Sequence, residues 1–220
     1  VEQTFREWLA EVGVECHFES FLSEVEMEGT RITRITTENG ISVRAKQFID
    51  ASYEGDLMAK AGVSYTVGRE DNSVYGETVN GQQLLHKHQF EFDVDPYIIE
   101  GKPESGLLPG IDDQPYEQGK GDHRVQAYNF RLCLTDDPAR QIPFTEPEGY
   151  DRSQYELLIR YCKAGHVPTL RKYDFCKNGK FDMNNHGAVS TDYIGMNYDF
   201  PEGDYATREK IFQEHVQWVK

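Results

Sequence analysis

Long apolar runs and positive charge are what this sequence lacks most clearly. No segment approaches the roughly 18 apolar residues of a membrane-spanning helix, so we expect no membrane partner. Asp and Glu total 38 against 23 for Lys and Arg, which gives a formal net charge of −15 over 220 residues. Because such an acidic surface repels phosphate backbones, we expect no nucleic-acid partner either.

Closely spaced cysteines and common hydrolase motifs are absent as well. The four cysteines form no Cys-x-x-Cys pair, so zinc-finger and thioredoxin-type sites have no ligand pattern. The chain contains no Gly-x-Ser-x-Gly, no Walker loop and no His-Glu-x-x-His, which leaves hydrolases and NTPases without their markers. We interpret the cysteines as buried free thiols: Cys16, Cys133, Cys162 and Cys176.

The sequence is rich in aromatic residues, which argue against disorder and supply apolar surface. Near the start, an apolar stripe at helical spacing predicts an amphipathic helix that ends at Gly13. Alternating apolar and polar residues then predict a strand over 14–18. The stripe consists of Phe5, Trp8, Leu9 and Val12.

A β-meander is predicted next. Gly29 breaks the first pair of strands, and Asn39-Gly40 is typical of a hairpin turn. Phe48-Ile49 is predicted to be the closing strand. A short small-residue helix is predicted between Gly55 and Gly62.

The remainder is predicted to be rich in loops. Residues 64–124 contain many Gly, Pro, Asp, Asn and Gln, with one or two strands expected within 86–99. A clearer strand is predicted over 125–134. One helix is expected after the capping residue Asp151, and a last helix after Pro201.

These patterns predict an α+β fold in two parts. Residues 1–63 combine a helix, a meander and a closing strand. Residues 64–220 combine a mixed or antiparallel sheet with helices. No flexible linker marks the boundary between them.

The segment that follows the predicted strand Phe48-Ile49 has the character of a cofactor-contacting turn. Small residues allow a large ligand to approach the backbone, and the N-terminus of the next helix favours an anion. The alternative is an ordinary strand-to-helix connection whose acidic residues cap that helix. The cofactor-contacting candidates are Asp50, Ala51, Ser52, Tyr53, Glu54, Gly55 and Asp56.

Three other positions are candidate catalytic residues. Asn129 and Arg131 share one face of a predicted strand, where they would meet an anionic substrate or form a surface salt bridge. His186 lies in an Asn/Gly-rich loop, where it would exchange protons or be a plain loop histidine. His86 and His88 share a strand face, but without a third ligand at clear spacing we assign no metal site.

The run from Ala45 to Gly62 resembles a segment of bacterial FAD-dependent oxidoreductases of the glutathione-reductase-like group. The family form is approximately A-K-x-φ-I-D-A-T/S-x-x-G-D-L-A-x-x-A-G, where φ is apolar. Four further runs look similar to this family in the same order: 125–131, 184–187, 190–195 and 205–208. The resemblance therefore touches most of the chain.

The resemblance implies a partial FAD-binding domain of the three-layer ββα type over residues 1–63 and a substrate domain over 64–220. The Gly-x-Gly-x-x-Gly motif that holds the FAD pyrophosphate is absent, since Gly119-Lys120-Gly121 has no third glycine at the right offset. We therefore expect the central portion of a longer enzyme, with the phosphate site before Val1. By itself it is expected to be inactive and to bind FAD weakly or not at all.

The implied activity is hydride transfer between flavin and a small-molecule or carbohydrate-derived substrate. Asn129, Arg131 and His186 are then the candidates for orienting the substrate or moving protons. The alternative is a non-enzymatic carbohydrate-binding module, favoured by 13 tyrosines and many amide side chains. Because strands 14–49 are expected to pair with absent segments, we also expect self-association into a homo-oligomer.

Overall fold

The computed structural model describes residues 2–167, 173–183 and 187–220. The contacts divide the chain into two compact units, Val1–Thr66 and Val67–Lys220, hereafter the N-terminal and C-terminal units. The division lies close to the predicted boundary after residue 63. The functional roles assigned to the two parts stay predictions.

The N-terminal unit begins with helix α1 (Glu2–Glu11), which confirms the helix predicted from the apolar stripe. The chain leaves this helix at Gly13, whose φ of 71° is readily adopted only by glycine. Phe5 and Trp8 contact each other edge to face, with 5.7 Å between ring centroids. Yet α1 has no buried residue, and more than half of the Phe5 and Trp8 surfaces is exposed.

A three-stranded antiparallel sheet follows, in the order β1 (Leu22–Glu28), β2 (Arg31–Thr37) and β3 (Ser42–Val43). Its turns fall at Gly29 and at Asn39-Gly40, as predicted, and the Gly40 amide donates to the Thr37 carbonyl at 2.9 Å. The predicted meander is therefore confirmed over these strands.

Two other strands predicted in the N-terminal unit are wrong. Residues 14–18 and Phe48-Ile49 lie outside every strand, because no described strand lies beside them to accept their backbone hydrogen bonds. Phe18 is instead covered by the Arg6 guanidinium, 4.3 Å from the ring centroid. Ile49 leaves 84% of its surface exposed.

The short helix predicted after Gly55 is confirmed as α2 (Asp56–Lys60). In the C-terminal unit, one loop helix comes first and two longer helices follow later. The remaining elements are α3 (Asn72–Tyr75), β4 (Leu132–Thr135), α4 (Glu156–Lys163), β5 (Tyr173–Cys176), β6 (Lys180–Met183) and α5 (Tyr205–Val219), with 3-10 turns at Pro103–Ser105 and Arg152–Tyr155.

The C-terminal sheet is antiparallel in the order β4-β6-β5. The predicted strand over 125–134 is shortened to β4, since residues 125–131 lie outside every strand of the described residues. The strands predicted within 86–99 are also absent, and a single bridge from Tyr97 to Leu107 stands there instead. The hairpin between β5 and β6 was missed.

The two longer helices follow Asp151 and Pro201, as predicted, with the 3-10 turn Arg152–Tyr155 between Asp151 and α4. Asp151 accepts a hydrogen bond from the Ser153 amide ahead of α4, and Asp204 accepts one from the Thr207 amide at the start of α5. The buried apolar side chains lie on these helices, on β6 and in one loop. They are Tyr161, Ile211, Met183 and Leu108.

Helices together with small antiparallel sheets confirm the predicted α+β class. The cysteine prediction fares less well, since Cys16, Cys133 and Cys176 are exposed thiols and only Cys162 is partly buried. The short β4 and β5 strands and the open loop before β1 leave these side chains uncovered. Among the described helices, none combines the length and apolarity needed to span a membrane.

Candidate functional site

The first candidate region is the turn from Asp50 to Asp56 in the N-terminal unit. One carboxylate oxygen of Asp50 accepts from the Ser52 amide at 3.0 Å and from its hydroxyl at 2.6 Å. The other accepts from the Met58 amide of α2 at 3.1 Å. The Ser52 hydroxyl oxygen in turn accepts from the Gly55 amide at 3.0 Å.

These bonds lower the pKa of Asp50, with the Ser52 hydroxyl as the largest cause. Asp50 therefore caps α2 and fixes the turn, as expected if acidic residues of this connection cap the helix. It also occupies the Met58 amide, which a bound anion at this helix end would need. The rest of the turn is open: the residues from 51 to 54 are exposed, and Tyr53 is fully so. Gly55, with φ 69°, lets the chain enter the helix at this point.

The second candidate region is a cavity of about 580 Å³ in the C-terminal unit, hereafter the large cavity. Its wall comes from distant segments: the loop around His88 to Phe92, the α4 region, the loop from Gly187 to Thr191, and the end of α5. Strands β4 and β6 add Leu132 and Met183. Helices, strands and loops of the C-terminal unit thus converge on one concave site.

Tyr161 anchors one side of the large cavity. It is 2% exposed, and its hydroxyl accepts a hydrogen bond from the Glu91 amide at 2.9 Å. The His166 imidazole stacks on its ring with 4.1 Å between centroids, and Phe90 contacts that ring edge to face. His166 Nδ1 also lies 3.9 Å from a Glu91 carboxylate oxygen. An imidazole is thereby held rigidly in the wall.

His88 connects two parts of the same wall. Its Nδ1 accepts a hydrogen bond from the Gly187 amide at 3.1 Å, which requires the tautomer in which Nδ1 carries no proton. Its backbone has φ 61°, which is uncommon outside glycine. The predicted catalytic residue His186 lies outside the described residues, although Gly187 beside it in sequence lines the cavity.

A second cavity of about 160 Å³, hereafter the small cavity, adjoins the large one. The two share walls formed by Tyr155, Trp218 and the loop from Ala188 to Ser190. Trp218 is stacked between Tyr155 at 4.9 Å and Tyr193 at 4.7 Å, with nearly parallel rings. Burial is the main cause that raises the pKa of both tyrosines.

The structure gives Asn129 and Arg131 different carboxylate partners. The Asn129 side-chain amide donates to Asp192, which lines the small cavity. Arg131 forms an ion pair with Asp182 at 2.9 Å and is half exposed, which matches the salt-bridge alternative. Neither residue lines either cavity, and the Asp50 turn belongs to the other unit.

No group of three metal-ligating side chains occurs within residues 2–167, 173–183 and 187–220. His86 and His88 are both exposed, and no strand forms around them. The site residues that sequence reasoning missed are His166, Tyr161, Tyr155 and Trp218. Only the apolar side of the two helices pointed to them, because an apolar stripe does not tell a cavity wall from a packed core.

Comparison with protein families gives one result that covers the whole sequence. The family described as FAD dependent oxidoreductase matches residues 1–220. Comparison with curated proteins and with solved structures gives no significant match.

Proposed function

Since the chain belongs to the FAD dependent oxidoreductase family, we propose that it takes part in hydride transfer between flavin and an organic substrate. The observation that carries this proposal is the family match over residues 1–220. FAD is the cofactor that the family implies. When bound, it would accept or donate the hydride, while the chain positions the substrate and handles its protons.

The turn from Asp50 to Asp56 is the surface that we assign to the flavin cofactor. Its exposed small residues leave the backbone accessible, which fits the close approach of a large ligand. The fit is limited to uncharged parts of FAD, because Asp50, Glu54 and Asp56 would repel the pyrophosphate. A glycine-rich pyrophosphate motif does not occur in the sequence, so these residues hold ribose or ring atoms instead.

The large cavity is the site that we assign to the substrate. Its volume lies within the range of small-molecule pockets, and its wall is mostly apolar with a few polar groups. His166 is the group best placed to exchange a proton with a bound substrate, since Tyr161 holds its ring in the wall. Asn129 would act indirectly, by orienting Asp192.

Flavin retention tests the cofactor part of the proposal. We expect the natural polypeptide that contains these residues to be purified with bound FAD, visible by its absorption and fluorescence. Asp50→Asn weakens the bonds that fix the turn and is expected to reduce the flavin content. Asp113→Asn makes the same chemical change at an exposed residue of the C-terminal unit and is expected to keep it.

Flavin-free natural protein that gains no FAD on titration would contradict the cofactor assignment. Equal flavin content in Asp50→Asn and Asp113→Asn would contradict the role of the turn. The isolated 220 residues are expected to bind FAD weakly, because the sequence supplies no pyrophosphate motif.

Anaerobic flavin reduction tests the substrate part. We expect His166→Gln to slow flavin bleaching by a substrate at least about a hundredfold, as loss of a general acid or base does. The matched control is His17→Gln, an exposed histidine of the N-terminal unit. A bleaching rate unchanged in His166→Gln, including its dependence on pH, would remove this residue from the mechanism.

The carbohydrate-binding alternative gains no support from the described residues. Sugar recognition by stacking needs accessible aromatic faces. Around the cavities, the faces of Tyr155, Trp218 and Tyr193 are stacked on one another.

A further inference from the structure

We propose that the small cavity is a binding subsite for an uncharged apolar ring of about the size of benzene. The cavity lies within the C-terminal unit, has a volume of about 160 Å³ and is partly open to solvent. A closed apolar protein cavity of roughly 150 Å³ accepts benzene or xenon, so a pocket of this volume has room for one such ring. The volume therefore sets the size of the occupant.

The chemistry of the wall sets the polarity of the occupant. Most of the lining side chains are aliphatic, aromatic or thioether groups. A thioether and branched aliphatic chains adapt closely to a ring and offer it no hydrogen bonds. The aliphatic and thioether part of the wall comprises Leu157, Leu158, Val189, Ile194 and Met196.

Three of the polar residues at the wall are already engaged: Asp192, Ser190 and Trp218. Asp192 accepts from the Asn129 amide, and its own amide donates to the Ser190 hydroxyl at 3.0 Å. The Ser190 carbonyl accepts from the Trp218 indole nitrogen at 3.3 Å. A polar ligand that entered here would lose its bonds to water and find few groups of the wall to replace them, which disfavours it.

Asp192 also excludes anions. Among the described residues that line this cavity it alone is charged, so a carboxylate or phosphate on the ligand would meet its negative charge without a positive partner. The stacked rings of Tyr155, Trp218 and Tyr193 keep this wall rigid, with 14° and 15° between neighbouring ring planes. The cavity is therefore preorganised for an uncharged ring.

The small cavity shares Tyr155, Leu158, Val189 and Trp218 with the large cavity. A ligand that fills the large cavity can thus place an apolar end in the small one. The assignment of the small cavity as a specificity subsite for the substrate rests on the proposed function. Its ability to bind an apolar ring does not depend on that function.

Benzene titration tests the inference directly. The protein has two tryptophans, so Trp8→Phe leaves Trp218 as the only indole and makes its emission report on the cavity wall. In this background, we expect benzene to change the Trp218 emission saturably and to raise the melting temperature, since it binds the folded state alone. Benzoate has the same ring with a carboxylate and is expected to do neither.

A cavity-filling variant localises the binding. Leu157→Phe places a ring in the small cavity and is expected to weaken benzene binding at least about tenfold, since the added ring takes its space. Leu85→Phe makes the same change at an exposed residue that lines neither cavity, and benzene binding should be unchanged. If Leu157→Phe fails to fold, the comparison of benzene with benzoate still tests whether the protein binds an uncharged ring in preference to a charged one.

Three results would overturn the inference: no saturable benzene binding, benzoate binding as tight as benzene, or equal benzene affinity in Leu157→Phe and Leu85→Phe. Flavin retention is measured separately on the same protein. A protein that keeps FAD but does not bind benzene rejects the subsite alone, whereas one that binds benzene without FAD rejects the cofactor assignment alone.

Discussion

The two units bury their apolar residues to very different extents. All four buried apolar side chains of the described structure lie in the C-terminal unit, on α4, β6, α5 and one loop. In the N-terminal unit the described residue that reaches the buried class is Thr37, at 9% exposure. Burial of apolar surface is the main source of folding free energy, so the C-terminal unit has a core and the N-terminal unit has a sheet without one.

The difference is clearest between the two end helices. Both α1 and α5 carry apolar side chains at helical spacing. Helix α5 buries Ile211 and His215, whereas α1 buries nothing. Amphipathic sequence therefore establishes that a helix has an apolar side, but not that the same chain covers it. Self-association through the exposed side of α1 stays a prediction, which light scattering would check.

The largest expected contrast concerns one arginine in each unit. Arg160 is 8% exposed and donates to the carbonyls of Asp95, Tyr97 and Ile98 at 3.1, 2.7 and 3.0 Å. We expect Arg160→Ala to lower the free energy of unfolding of the C-terminal unit by about 3–5 kcal/mol, because three partly buried backbone carbonyls lose their charged donor. Urea unfolding followed by Trp218 emission in a Trp8→Phe background measures this.

The matched change in the N-terminal unit is Arg6→Ala. Arg6 is half exposed and pairs with Glu2 one helical turn away at 2.6 Å. Exposed pairs of this kind contribute about 0.3–0.5 kcal/mol and an exposed cation–π contact such as that with Phe18 about 0.5–1 kcal/mol, so hydrogen exchange in α1 should change far less than the stability lost in Arg160→Ala. Similar losses for the two arginines would show that the units do not differ in the way proposed.

A second contrast concerns one aliphatic side chain at each end of the chain, one within α5 and one just after α1. Ile211 is 8% exposed, and Val12, just beyond α1, is 72% exposed. We expect Ile211→Ala to cost about 2–4 kcal/mol, because it removes buried methylene groups and leaves a cavity. Val12→Ala should stay within about 0.5 kcal/mol.

Thermal unfolding and hydrogen exchange of the two variants give these values. A loss above about 1 kcal/mol for Val12→Ala would mean that its side chain is covered in solution, by a second copy or by another part of the protein. Light scattering on the same sample separates these two cases. Either result would mean that the two units differ less in the burial of apolar side chains than the structure of the single chain indicates.

Local signals account for the part of the fold that sequence predicts. The turns at Gly29 and Asn39-Gly40 and the cap Asp151 each act within a few residues, and each is found where it is predicted. The missed hairpin has such a signal too. Asn178-Gly179 adopts φ values of 68° and 65°, typical of a type I′ turn, between Phe175 and Phe181.

Long-range pairing accounts for most of what sequence does not predict. Residues 125–131 alternate like a strand, but within the described residues they lie outside every strand, and the Gln126 carbonyl instead accepts a hydrogen bond from the Asn197 side chain. The large cavity joins the His88 loop to Gly187, which lies 99 residues away. No periodic pattern in the sequence predicts the contact between these two segments. The Asp50 turn is intermediate, since its residues predict both the cap that is found and the ligand contact that is not tested.

The smallest expected effect is a loss of stability at acid pH, and the two units should share it. Asp50 in the N-terminal unit and Asp71 in the C-terminal unit each accept from the amide and the hydroxyl of the serine two residues later. The Ser73 amide is the main cause that lowers the pKa of Asp71, from 3.8 to about 2, and the pKa of Asp50 is lowered as well. A turn of this kind depends on adjacent residues and not on a core.

Because both pKa values are lower in the folded state, their contribution to stability is complete above about pH 5 and is lost as the pH falls through the folded pKa, which is about 2 for Asp71. We expect Asp50→Asn and Asp71→Asn to make the acid loss of stability shallower by similar small amounts, each in its own unit. Hydrogen exchange between pH 5 and 2 on β2 and α5 compares them on the scale of these carboxyl pKa values. A clear effect in the C-terminal unit alone would mean that the turns depend on the core, and the units would then differ in local structure as well as in packing.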